Sequence, residues 1–302
     1  MDNAIETENL ERRFNRIEAV KDLTFSVPRG SIYAYVGPNG AGKTTTIKVL
    51  MNMLHPSGGH ASVLGCDSTR LGPDQFRRIG CVSENQQLPE WMRIRELIDY
   101  CAPMYASWDK EFCRKLIDLL SLDPEQKINH LSRGMKMKVA LLCALPYRPS
   151  LLVMDEPFGG IDPIVREELV QAVLEMAGRE DWTFFISSHD IDELERVADW
   201  IGMLDRGRLK LSESVASLQK RFRKIEVVVS NDPELPASRP KEWLMLEKAG
   251  HTVRLVHSDF AEESTESEIR NVLPDTQQVM ESPMSLKEIF MALGRTFRIQ
   301  AA

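Results

Sequence analysis

One stretch constrains this chain more than any other: Gly37-Pro38-Asn39-Gly40-Ala41-Gly42-Lys43-Thr44-Thr45. It reads Gly, four residues, then Gly-Lys-Thr, the pattern of a phosphate-binding loop. Glycines at 37, 40 and 42 let the backbone wrap closely around an anion, with the loop amides pointing inward. Lys43 brings a mobile positive charge to the outer phosphates, and Thr44 offers a hydroxyl to Mg²⁺. A helix is predicted over 45–53, starting near Lys43, so the positive end of its dipole faces the same place. Residues 31–36 are apolar and β-prone and read as a buried strand. Strand, glycine loop, helix makes the fold α/β and the ligand a nucleotide. Kinases, GTPases, helicases and transport ATPases all share that much.

The rest of the chain narrows the choice. Its 302 residues suffice for one large α/β domain and a small appendage. A formal net charge of −7 argues against nucleic acid as the main partner. The five cysteines show no Cys-x-x-Cys spacing and are odd in number, which fits a reduced, cytoplasmic compartment with most of them as small core residues. The start is acidic and polar, without a signal peptide, and no apolar run approaches the roughly 20 residues that cross a bilayer. Service to a membrane would require docking on another chain.

Three blocks follow along the sequence. Up to about residue 83, short strands and turns surround the loop, and Val20, Leu23, Phe25 and Val27 mark a half-buried strand. Residues 84–149 are predicted mostly helical. From 150 the α/β alternation resumes, with strands over 151–154, 182–187 and 201–204, helices over 165–176 and 190–197, and a hairpin turn at 205–208. Beyond about 212 a small α+β appendage is predicted, with strands over 225–229 and 252–256, a loop punctuated by Pro233, Pro236 and Pro240, and an amphipathic helix over 286–293. It carries no catalytic cluster.

A second acidic site lies downstream of the loop. Four apolar residues lead into Asp155-Glu156. A buried strand there would deliver Asp155 beside the loop to hold Mg²⁺ through water, and Glu156 to polarise an attacking water. His189 follows another strand and is read two ways, as a γ-phosphate or water contact or as a structural histidine. Leu131-Ser132-Arg133-Gly134-Met135 opens a helix, with Ser132 as its N-cap. It is either a capped start or an anion-binding terminus.

In this order the motifs resemble those of the ATPase subunit of ATP-binding-cassette (ABC) transporters, over about residues 5–211. The resemblance implies a P-loop ABC ATPase core with an antiparallel β subdomain and a helical signature subdomain at about 84–149. It makes 1–211 the ATPase domain and 212–302 an accessory domain. It assigns 131–135 as the signature segment, Gly159-Gly160-Ile161-Asp162 as the Asp-loop, His189 as the switch histidine and Phe14 as an adenine-stacking aromatic. From the residues alone, Phe14 reads equally as core. Two departures stand out. The family's glutamine after the strand over 79–83 is here Glu84, followed by Asn85, Gln86 and Gln87, so a carboxylate would ligate Mg²⁺. The usual Leu-Ser-Gly-Gly-Gln has Arg133 and Met135 at its third and fifth positions, while Ser132 and Gly134 survive to meet a phosphate.

Within the family the tail 284–290 is similar to that of exporters that pair with six-helix permeases. ATP and Mg²⁺ are the implied cofactors. Two ATP would lie between two subunits, a homodimer or heterodimer, each held by one loop and the other subunit's Ser132. A membrane permease would dock near Trp91, Met92 and Tyr100, although core packing explains those residues equally well. The chain would sit in the cytoplasm at the inner face of the membrane. The alternatives are a soluble ABC-type ATPase or an ATP-responsive regulatory factor without a permease.

Overall fold

The apolar run before the loop becomes a strand buried along its whole length, and the architecture grows outward from it. The computed structural model describes residues 2–84, 86–177, 182–231, 235 and 239–300. Asn85, Pro233 and Pro236 therefore lie outside the described residues. Two compact units are present, 1–212 and 213–302.

The first unit runs β1 (Asn3–Phe14), β2 (Ile17–Pro28), β3 (Ile32–Val36), α1 (Lys43–Leu50), β4 (Gly58–Val63), β5 (Cys66–Asp67), α2 (Pro73–Phe76) and β6 (Ile79–Ser83). It continues with α3 (Ile94–Cys101), α4 (Lys110–Leu119), α5 (Arg133–Ala144), β7 (Leu151–Asp155), α6 (Pro163–Ala177), β8 (Thr183–Ser188), β9 (Trp200–Asp205) and β10 (Arg208–Ser214). A six-stranded sheet has the order β10-β9-β3-β8-β7-β6. Its strands β9, β3, β8, β7 and β6 pair in parallel. Every residue of β3, β7 and β8 is buried, as expected of a parallel sheet covered on both faces.

A four-stranded antiparallel sheet, β2-β1-β4-β5, packs against this one. Phe25 of β2 stacks at 5.5 Å on Tyr35 and at 6.1 Å on Phe185. The predicted apolar face of β2 is present, with Val20, Leu23, Phe25 and Val27 all buried. Period two alone would put Val20 and Leu23 on opposite faces. A bulge reconciles them: Asp22 takes φ 52°, and the pairing shifts between Leu10↔Leu23 and Arg12↔Val20.

Two predicted elements and the burial of the cysteines need correction. α1 ends at Leu50 rather than 53, because Asn52 enters the left-handed region at φ 55°. The predicted helix over 190–197 is a single 3₁₀ turn, Ile191–Glu193, followed by turns. There Asp190 accepts from the Asp192 amide and Glu193 turns inward to Ser188, so side chains take the roles helical backbone would need. Of the five free cysteines only Cys113 is fully buried, the others being half-buried.

The second unit holds α7 (Val215–Arg221), β11 (Arg223–Val229), β12 (Trp243–Ala249), β13 (Thr252–His257), α8 (Glu262–Val272), β14 (Thr276–Pro283) and α9 (Leu286–Gln300). Its antiparallel sheet has the order β12-β13-β11-β14. Ile225, Val227, Trp243, Val253, Leu255 and Ile269 form its own core. α9 packs on α7 and β12, which buries Leu286 and Ile289 within the unit.

Candidate nucleotide site

Register builds the site. Ser83 pairs with Asp155, Asp155 with Ser187, and Val36 with Ser188. The carboxyl ends of β6, β7, β8 and β3 are therefore level, and the next residues, Glu84, Glu156, His189 and Gly37, emerge along one edge. Open α/β sheets bind ligands at such an edge.

The loop is held from below. The Gly37 amide donates to Ser188 O at 3.2 Å, and the Gly207 amide to Ala41 O at 2.8 Å. Its glycines serve different ends. Gly42 takes φ 110°, and a Cβ there would stand 2.4 Å from Ala19 O. Gly37 has no positive φ; it is needed because a Cβ would meet Leu204 O at 2.3 Å. Pro38, Asn39 and Gly40 at the crest are exposed, as is Thr44, while Thr45 is half-exposed.

Lys43 is only 5% exposed. Its Nζ donates to Gly37 O at 2.7 Å and Pro38 O at 3.2 Å, and lies 3.0 Å from Glu156 Oε1. The other carboxylate oxygen of Glu156 lies 2.7 Å from His189 Nδ1 and accepts from the His189 amide at 3.2 Å. Glu156 itself sits at φ 53°, an angle that a side-chain-bearing residue adopts at some cost. Its own amide is tied to Ser187 O and Oγ. Burial raises its carboxyl, the largest single effect. The hydrogen bonds from His189 and Lys43, with the Lys43 charge, outweigh it and hold the carboxyl below its ordinary range. Asp155 Oδ1 accepts from Ser187 Oγ at 2.7 Å.

The Asp155 charge, after burial, helps push the neighbouring Cys81 thiol up to about 11. Sequence reasoning passed over Ser187 and Glu193. Ser187 fixes both acidic residues. Glu193 is buried and accepts from the Ser188 hydroxyl, with Arg166 Nη2 3.8 Å away. Burial raises the Glu193 carboxyl more than Ser188 and Arg166 lower it. Both residue types are common at strand ends and turns, so the sequence carried no distinguishing signal for them.

The remaining predicted residues stand apart from this cluster. Ser132 caps α5 by accepting from the Met135 amide at 3.3 Å, and it is exposed. Gly134 is buried, and a Cβ there would stand 2.7 Å from Val165 Cγ1, so what its missing side chain admits is α6. Asp162 accepts from the Ile164 amide at 2.8 Å at the start of α6. Glu84 pairs with Arg133. Phe14 is 38% exposed, with the Arg12 guanidinium 4.5 Å from its ring centre, so it is not a core residue. Trp91 and Tyr100 are likewise exposed. Among the described residues no helix is long and apolar enough to cross a membrane.

The strand–loop–helix, the lysine and the strand-end acids define a P-loop ATPase site. Residues 20–159 match the family model described as ABC transporter. The chain is 31% identical over 226 residues to the bacitracin transport ATP-binding protein BcrA of Bacillus licheniformis, covering 74% of each chain. It is 26% identical to the ABC transporter ATP-binding protein YtrB of Bacillus subtilis (strain 168), across 95% of this chain and 97% of that one. A solved structure titled as the ATP binding subunit of an ABC transporter superposes with a TM-score of 0.64 at 27% identity, covering 72% of this chain and 92% of that one. The chain belongs to the ABC transporter family, as an ATP-binding and ATP-hydrolysing subunit.

Proposed function

We propose that this subunit powers export through a separate membrane permease, by closing with a second ATPase subunit over ATP. The observation that carries the catalytic part is the Lys43–Glu156–His189 cluster at the mouth of the loop. Lys43 is aimed at the crest of the loop and neutralises Glu156 in the free protein. When phosphate oxygens arrive they compete for Lys43 and free one oxygen of Glu156. That oxygen then accepts a proton from the attacking water, while His189 keeps hold of the other.

Gly37, Pro38, Asn39, Gly40, Ala41, Gly42, Thr44 and Thr45 cradle the phosphates, and the partly exposed Phe14 ring stacks on the adenine. Mg²⁺ takes few protein oxygens beside phosphates and water. The exposed Thr44 hydroxyl, the strand-end Asp155 and Glu84 suit that need, and the metal would supply charge neutralisation at the phosphates. Ser132 and Gly134 of α5 and Asp162 of the Asp-loop would complete the second subunit's site. The exposed Trp91 and Tyr100 suit a permease at the inner face of the membrane. Transport is the reading supported by the relatives named for bacitracin transport; its outward direction rests on the exporter-like tail at 284–290. The second unit, 213–302, takes no part in the chemistry.

Glu156→Gln protein should bind ATP, fail to hydrolyse it and run as a dimer on size exclusion with Mg-ATP. Solubilised membranes should release the parent chain together with an integral membrane protein. A variant that stays monomeric with saturating ATP would refute the sandwich, and recovery without a membrane partner would favour a soluble ATPase.

A further inference from the structure

Two of the positions at which the chain departs from its family's pattern touch each other: Glu84 pairs with Arg133. The contact is supported on three sides. The Glu84 amide donates to Asp155 O at 3.0 Å, which anchors its backbone to the end of β7. Arg133 is the first residue of α5, fixed by the Ser132 cap beside it. Gly160, at φ 64°, lies against the guanidinium, where a Cβ would stand 2.7 Å from Arg133 Nη1; one at Gly159 would stand 3.7 Å from Glu84 Oε1. The segment after β6, the start of α5 and the turn before α6 thus meet at one ion pair. Both side chains remain partly exposed, at 30% for Glu84 and 47% for Arg133, so water and salt reach the pair.

We propose that the Glu84–Arg133 pair is a clasp of the free subunit, one that opens when nucleotide closes the dimer. This rests on the nucleotide-sandwich reading above. Glu84 is a poorer ligand for Mg²⁺ while its charge is neutralised by Arg133. Arg133, next to the exposed Ser132, cannot turn its charge to a phosphate across an interface while it is held by Glu84. Mg-ATP carries both competitors at once, a hard cation for the carboxylate and phosphate oxygens for the guanidinium. A half-exposed ion pair is the right strength for this, because it biases the free form without trapping it.

The test is a double-mutant cycle on the full chain with Glu84→Gln, Arg133→Gln, both together, and the exchanged pair Glu84→Arg/Arg133→Glu. In nucleotide-free protein, hydrogen exchange of the first-turn amides of α5 should rise about two- to five-fold in either single variant. It should rise no further in the double variant, return in the exchanged pair, and rise in the parent with added salt. The same cycle is then run in the Glu156→Gln background on the ATP concentration that half-dimerises the protein. If the clasp opens on closure, the two substitutions are non-additive there by a similar factor. Unchanged exchange in both single variants overturns the clasp, and strict additivity in dimerisation overturns its opening. Failure of Glu156→Gln protein to dimerise with Mg-ATP would bring down the sandwich reading and the opening with it, while the exchange data still judge the clasp.

Discussion

Lys43 holds three oxygens, and only two of them belong to its own loop. That makes it both the phosphate cation and the counter-charge of Glu156. Lys43→Ala therefore removes a charge-assisted contact and leaves buried Glu156 with His189 as its remaining partner. Nucleotide affinity should fall about 10- to 100-fold, as expected for losing a hydrogen bond to a charged group. Equilibrium binding of a fluorescent ATP analogue checks this; near-parent affinity would misplace the loop.

Glu156→Gln tests the same pair from the other side. The Glu156 carboxyl is held below its ordinary range, so its ionised form stabilises the fold. The unfolded chain binds that proton more readily, so the benefit is complete above the ordinary carboxylate range. It is lost as pH falls through the depressed value. Without nucleotide, Glu156→Gln should melt about 2–4 °C below the parent at pH 7, and the gap should close in acid. A gap that widens in acid would reverse the sign and refute the assignment. Lys43, Asp155, Glu156 and His189 were legible in the sequence because each follows a strand or glycine signal. The Lys43–Glu156 contact was not, since it depends on register between strands far apart in the chain.

At the scale of elements, glycines decide how closely helices approach. The sequence reading gave Gly134 to a phosphate. The structure adds a packing duty, because its Cα faces Val165 of α6. Gly134→Ala would overpack that crossing at a cost of about 1–3 kcal/mol. Val165→Ala alone should also destabilise, by opening space. Combined, the two should recover most of the loss, a compensation that urea melts of the four proteins would reveal; simple additivity would count against the contact. Helices α3 and α4 were readable from their 3.6-residue apolar spacing, the start of α5 from its Ser132 cap, and β3, β7 and β8 from short apolar runs. The turn over 191–193 misled because Asp190 and Glu193 spend their side chains on local and buried bonds, which leaves a helical-looking pattern without a helix. β14 escaped notice for a different reason. Its pairing with β11 is extensive, but its side chains are mostly exposed and polar, so no alternation marks it.

At the scale of the whole chain, the two units carry separate hydrophobic cores, and the boundary falls inside β10 after Ser212. The apolar face of α9 raised the question of what it covers. Leu286 and Ile289 are buried in their own unit, where α9 lies on α7 and β12, so that face need not seek a partner. The site residues from Phe14 to His189 all lie in the first unit. Cutting after Ser212 rather than earlier keeps the 2.7 Å bond between the Ser212 hydroxyl and Tyr33 Oη, which ties β10 to β3. The 1–212 fragment should therefore fold and bind ATP within about threefold of the full chain, since every nucleotide contact assigned above is retained and a factor of three is well under 1.4 kcal/mol. Titration calorimetry on the fragment checks the affinity, and circular dichroism checks that it is folded. If the second unit serves assembly, the Glu156→Gln form of the fragment should need more ATP to dimerise than the full-length variant. A folded fragment that binds no ATP would show that residues beyond 212 shape the nucleotide site, and the division between a chemical unit and an accessory unit would not stand.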